Sequence, residues 1–135
     1  MPPGYLPPPG TPLSEIDTPA LIVDLDVAEA NIIKMARFLA GHGVALRPHV
    51  KNHKSPYFAR KQIAAGAIGV CVAKVGEAEV MAEGGIQDIF IANEIVTPVK
   101  IARLMAVASV AKVSVAVDTE RNLRDLSAAA GKSGV

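Results

Sequence analysis

Tryptophan is absent from this 135-residue chain, and aromatic residues make up only 4% of it. That is too few to build the stacking platform on which single-stranded nucleic acid is held. An excess of either charge is missing too. Fourteen Lys and Arg stand against thirteen Asp and Glu, a net charge of +1, so no general pull toward nucleic acid or an anionic membrane is expected. A single cysteine, Cys71, excludes an internal disulfide and fits a reducing cytosol. No apolar run approaches the ~18 residues of a membrane-spanning helix. The opening Met1-Pro2-Pro3-Gly4-Tyr5-Leu6-Pro7-Pro8-Pro9-Gly10 lacks the basic start and apolar centre of a signal peptide. Its prolines favour an extended arm, taken as residues 1–14, ahead of an ordered domain at 15–135. With half its residues hydrophobic, the chain reads as a soluble, cytoplasmic protein long enough for one core.

After the arm, short apolar runs alternate with segments of helical period. Ala20–Val23 reads as a strand, with Asp26 and Glu29 as a capping box for the helix that follows. Ile32, Met35, Ala36 and Leu39 form one face of that helix, and Gly41 and Gly43 can end it. Val44–His49 is a second strand. Ser55-Pro56 starts a helix to about Ala65, Ile68–Ala73 is a strand, and Glu77–Glu83 is helical. Ile89–Ala92 is the next strand, and Thr97-Pro98 begins a helix burying Ile101, Leu104, Met105 and Ala108. Ala111–Val117 is the last strand. Asp118 or Thr119 caps a final helix that Gly131 ends. Strand ends near residues 51, 73, 93 and 117 recur every ~20 to 24 residues, the repeat of parallel strand-plus-helix units. Four such units fit either a small open sheet of flavodoxin type or half of a barrel, which typically needs about 250 residues. The chain stops directly after a helix, where another strand is expected, so it reads as an incomplete barrel chain.

The densest chemistry lies in Arg47-Pro48-His49-Val50-Lys51-Asn52-His53-Lys54, at a strand end just before a helix. Active sites of α/β proteins are built at such places. Side chains alternate along a strand, so Arg47, His49 and Lys51 share one face if the strand extends to Lys51. Lysine forms Schiff bases with carbonyl cofactors, and neighbouring cations or burial readily lower its pKa. The competing reading of these residues alone is a solvated basic loop capping the strand. Asn93 and Glu94 end the third strand and Asp118 the fourth; loop capping competes with a site role for Asn93 and Asp118. Lys74 reads as a helix-start or ion-pair residue, Cys71 as an inert core thiol, and His42 as exposed beside glycines. His49 and His53 alone make no metal site. Gly131-Lys132-Ser133 ends like a phosphate-binding loop, but the first glycine of that motif is missing, so nucleotide binding is excluded there.

Several collinear blocks resemble the D-threonine aldolase and D-serine dehydratase family. They are Asp17–Leu21, the Arg47–Lys54 block, Gly69–Ala78 and Gly85–Glu94, and the resemblance runs from about Asp17 to Leu126. It implies a pyridoxal-phosphate (PLP) enzyme in which Lys51 carries the cofactor, with His49, Arg47 and Asn93 as further cofactor-binding candidates. The implied fold is the N-terminal half of a (β/α)8 barrel of the alanine racemase type. The implied reaction is cleavage of D-β-hydroxy-amino acids to glycine and an aldehyde. The implied alternatives are a D-serine dehydratase-like lyase or a non-catalytic PLP-binding protein. The resemblance further implies a divalent metal (Mn, Mg or Zn) bound by a C-terminal β-domain, phosphate-binding loops in the second half of the barrel, and a homodimer. On those terms this chain alone is inactive. Two positions depart from the family pattern. Asn52 stands where threonine or alanine is common, and Ala73 where several aldolases have glutamine.

Overall fold

The computed structural model describes residues 6–135; the first five residues of the proline-rich arm lie outside the described residues. The rest of the arm is not featureless. Thr11 turns back onto the Pro8 carbonyl through both its amide and its hydroxyl, and Leu13–Glu15 form one 3-10 turn.

Eight elements follow: α1 (Leu25–Gly41), α2 (Pro56–Ala64), β1 (Val70–Val72), α3 (Val75–Glu83), β2 (Asp88–Glu94), α4 (Pro98–Ala108), β3 (Lys112–Ala116) and α5 (Glu120–Ser133). The strands form one parallel sheet in the order β1-β2-β3. The segment before α2 lies along the outer edge of β1. There Ile68 N–H donates to Leu46, Cys71 N–H to Pro48 and Val50 N–H to Cys71, with one ladder bridge, His49 to Cys71. The expected strand Val44–His49 therefore shrinks to a single bridge, because Pro48 has no N–H to donate.

Each helix packs against the next in sequence, α1 on α2 through to α4 on α5. Consecutive strands side by side with consecutive helices in contact put every helix on the same face of the sheet. A flavodoxin-type sheet would reverse its strand order and place helices on both faces, so the open-sheet alternative is excluded. Register assigns the faces. Val70, Ile89 and Val113 lie in one row and Val72, Ile91 and Val115 in another. With Met81, Ile86, Ile101, Leu104 and Leu126 they form the core beneath the helices.

Three sequence expectations need correction here. Ala20–Val23 is extended but pairs with nothing, and Leu21 is 93% exposed; a strand needs a ladder partner, and none stands beside it. Asp24, not Asp26, caps α1, accepting from Val27 N–H at 3.0 Å, and Met35 on the expected apolar face is exposed. Gly131 lies inside α5, which ends at Gly134 in the left-handed conformation (φ 69°). Elsewhere the cues hold. Thr119 caps α5 by accepting from Asn122 N–H, and Pro56 and Pro98 open α2 and α4. Among the described residues no helix is long and apolar enough to cross a membrane.

Candidate active site at the strand ends

The face of the sheet turned away from the helices carries the polar residues. His49, Cys71, Phe90 and Ser114 make one row across it, and Asp88 pairs with Lys112 in the row below. Arg47 belongs to that lower row. Its Nη1 donates to Asp88 Oδ1 at 2.7 Å, and Lys112 Nζ approaches Asp88 Oδ2 at 3.1 Å. The Arg47 hydrogen bond is the main reason the Asp88 carboxyl sits below its ordinary range. Gly69 lets this pair close, since a Cβ there would stand 2.5 Å from Arg47 Nη1. The structure thus places Arg47 at the start of the strands, four residues or ~13 Å along the chain from Lys51.

Lys51 lies at the opposite end, in the turn between the edge segment and α2. Val50, fully buried, roots that turn in the core, and Lys54 N–H closes it onto the Val50 carbonyl at 2.8 Å. Lys54 itself takes a positive φ of 50°, a conformation that non-glycine residues adopt at a cost and that recurs at functional sites. The His49 ring accepts a long hydrogen bond from Lys51 N–H, 3.4 Å to Nδ1. Lys51 is exposed and takes no part in the ion pairs among the described residues, as is true of Lys34, Lys54, Lys74, Lys100 and Lys132, so its place at the strand end is what sets it apart. A strand-end amine with a fixed backbone and no counter-ion is available for chemistry.

Asn93 sits within an irregularity in the β2–β3 ladder, and its Nδ2 donates to the Ala73 carbonyl at 3.3 Å. The N–H of Ala73 is taken by Glu77 Oε2 at 2.8 Å. Both polar groups of the peptide that ends β1 are thereby held by side chains. Glu77 is 8% exposed and had no assigned role from sequence. The signal available was its place three residues after the helix-start residue Lys74, where a carboxylate reaches back to a free N–H. Asn122 was also missed; its Nδ2 ties α5 to the β2–α4 loop through the Ile95 carbonyl at 2.8 Å.

Cys71 is buried as expected, but on the polar face rather than in the core under the helices. Burial pushes its thiol up, against the opposing influence of Ala92, Arg47 and Lys51, which keeps it a poor nucleophile. Lys74 and Asp118 are exposed; Lys74 is the residue before α3, and His42 is exposed with Nδ1 2.7 Å from the Phe38 carbonyl. Among the described residues no three or more His, Cys, Asp or Glu side chains converge as metal ligands.

A singly wound parallel sheet with its helices on one face defines the class: an α/β domain of parallel βα units, an open part of a barrel-type fold. The chain belongs to the alanine racemase N-terminal domain family, which it matches over residues 23–135. It is 49% identical over 132 residues to a D-threonine aldolase of Arthrobacter sp., covering 96% of this chain and 35% of that protein. It is 48% identical over 128 residues to a 3-hydroxy-D-aspartate aldolase of Paracoccus denitrificans, covering 93% and 33%. The crystal structure of a D-threonine aldolase from Filomicrobium marinum superposes with a TM-score of 0.89 at 47% identity, over 91% of this chain and 33% of that one. The chain therefore spans about a third of the length of these relatives.

Proposed function

We propose that the complete protein is a cytoplasmic, PLP-dependent lyase that cleaves D-β-hydroxy-amino acids to glycine and an aldehyde, with Lys51 as its cofactor lysine. The observation that carries this is the exposed, unpaired Lys51 amine at a strand end, in a chain close to half identical to two aldolases. The half-barrel reading rests on the one-sided helices and the likeness to the aldolase structure.

The donor set fits such a cofactor at one end only. Lys51 Nζ would hold it covalently, His49 offers its Nε2, and Asn93 stands across the strand ends with Nδ2 already committed to Ala73. Arg47 would contribute positive charge from the row below, since Asp88 occupies its guanidinium. When bound, PLP supplies an electron sink for the charge left on Cα as the Cα–Cβ bond breaks. This chain's residues would fix where that carbon stands: the turn rooted by Val50 sets the height of Lys51, and the pinned Ala73 holds the strand end beside it. Phosphate-binding loops, a divalent metal site and a homodimer interface are assigned to the rest of the protein, so the 135 residues alone are inactive on this reading.

The likeness to the 3-hydroxy-D-aspartate aldolase favours a second substrate, one with an acidic β-substituent. Borohydride reduction of the full-length protein with PLP, followed by peptide mapping, should find the pyridoxyl group on Lys51; finding it on Lys54 or Lys74 would sink the assignment. Acetaldehyde from D-threonine, glyoxylate from 3-hydroxy-D-aspartate and pyruvate from D-serine should be assayed in parallel, with and without a chelator. Chelator-sensitive aldehyde release is expected. Pyruvate as the main product moves the protein to the dehydratases, and PLP binding with no turnover makes it a carrier.

A further inference from the structure

The second histidine of the basic block has no part in the function just described, and its surroundings are unusual. Ser55 occupies the N-cap position of α2, yet its hydroxyl makes no capping bond. His53 is involved at this helix start instead. Its Nδ1 accepts from Ser55 N–H at 3.1 Å. That bond fixes the tautomer, because a ring nitrogen that accepts carries no proton, so the proton is on Nε2. Nε2 is buried, as is Oε1 of Gln62 on α2, and neither atom has a hydrogen-bond partner among the described residues. One is a donor and the other an acceptor, and Gln62 acts on the ring against its burial. Phe58 of α2 meets the ring edge-on, with centroids 5.6 Å apart. The imidazole is therefore held against α2 at Ser55, Phe58 and Gln62.

We propose that His53 is the positioning residue of the cofactor lysine, clamping the Lys51 turn to the first two turns of α2 through Ser55 N–H and Gln62. The inference rests on the assignment of Lys51 above. His53 follows Lys51 by two residues, and the turn that presents Lys51 is closed one residue later, by Lys54 N–H on the Val50 carbonyl. Val50 anchors one side of that turn in the core. Without the clamp, nothing but Lys54 in its positive-φ conformation connects the other side to α2. Both ring nitrogens point into the protein, so His53 has no free atom with which to act as acid or base on a substrate. Its effect passes through the placement of Lys51, and misplacement of a reacting group by an ångström is enough to slow a reaction strongly.

The test uses the full-length protein stripped of PLP, in wild type, H53L, H53N and Q62M forms. Asparagine can accept from the N–H two residues on, as in an Asx turn, whereas leucine keeps apolar bulk and loses the acceptor. The first readout is the rate at which added PLP is trapped on Lys51 by borohydride. The second, in PLP-free protein, is hydrogen exchange at the Ser55 amide. H53L should slow trapping roughly tenfold or more and deprotect Ser55, and H53N should restore the protection and bring trapping back to about the Q62M rate. Q62M, which leaves Nδ1 in place, should keep its fold and slow trapping by a smaller factor; it decides the matter should H53L fail to fold. Trapping at the wild-type rate in H53L or, if that variant does not fold, in Q62M overturns the proposal. So does a slow H53L in which Ser55 stays protected, or an H53N that protects Ser55 but remains as slow as H53L. A wild-type protein that never loads PLP on Lys51 overturns the Lys51 assignment and this inference together, and the two failures are thus told apart.

Discussion

Replacing Gly84 by alanine should loosen α2 although the backbone there suits any residue. Gly84 ends α3 with φ −75°, so the obstacle is space alone. An added Cβ would stand 2.7 Å from Pro56 Cγ and closer still to Pro56 Cβ. Carbon atoms prefer ~3.5–4.0 Å, so the start of α2 must retreat by about an ångström. Pro56 is a rigid ring at the first position of α2, with no rotamer to swing aside. Overpacking of this kind costs ~1–3 kcal/mol, and the lost freedom of glycine in the unfolded chain offsets ~0.4–1 kcal/mol. A net loss of about 1–2 kcal/mol remains. Arg60 Nη1, which donates to the Gly84 carbonyl at 2.8 Å, ties the same two helices and moves with them. Peptide-resolved amide exchange on the full-length protein should show the α2 amides exchanging about tenfold faster in G84A, since ~1.4 kcal/mol is a factor of ten. Unchanged or slower exchange in α2 would refute the packing argument. G131A is the internal comparison. Gly131 lies within α5 with nothing within 4 Å of an added Cβ, so alanine there should slow α5 exchange by the equivalent of ~0.5–1 kcal/mol.

Removing the carboxylate in D88A leaves Arg47 and Lys112 without their shared partner and should cost about 1–3 kcal/mol by denaturant titration, with PLP loading at Lys51 retained; a cost near zero would mean the row carries no stability. Because the Asp88 carboxyl is held below its ordinary value of 3.8, its contribution is full above that pH and is lost as pH falls through the depressed value, where the folded state must take up a proton. D88A should lack that acid-side loss. Burial lowers the His53 pKa from 6.5, with Gln62 opposing weakly. As pH falls from 6.5 through the lowered value the unfolded chain binds a proton that the folded chain does not, so stability declines across that window and is full above it. H53N should flatten this limb, and a limb of equal slope in H53N would assign it to another group.

The repeat of strand and helix was readable because glycine and proline punctuate it: Ser55-Pro56, Thr97-Pro98 and Gly84-Gly85 mark boundaries the structure keeps within two or three residues. Pairing was harder to read. Ala20–Val23 has strand composition but no ladder, and Pro48 breaks a strand that its neighbours favour, since pairing is a property of what lies alongside. Alternation puts Arg47, His49 and Lys51 on one face only if the strand runs to Lys51; Arg47 and His49 keep that spacing along the edge of β1, whereas Lys51 falls in the turn, and spacing says nothing of height along the strand. That is why Arg47 was grouped with Lys51 while its guanidinium closes on Asp88 at the other end. The backbone contacts of Glu77 and His53 were illegible for a related reason. Each acts on a backbone N–H a few residues away, and a carboxylate or imidazole doing so has the same sequence signature as one facing solvent.

The way Arg47, His49 and Lys51 are stacked gives the edge segment a division of labour by level. The lowest is an ion pair that closes the base, the middle one abuts a buried thiol, and the highest is an exposed, unpaired amine. One stretch of five residues therefore couples reading frame to chemistry. Deleting Pro48 or His49 would shift the register by one and exchange the faces, driving the Lys51 amine toward the packed aliphatic layer and lifting Val50 onto the polar face. Substitutions at the base can be explored one at a time, whereas insertions and deletions cannot. Within this segment, a change in length should be tolerated best before Val44, where the chain has no sheet partner to misalign.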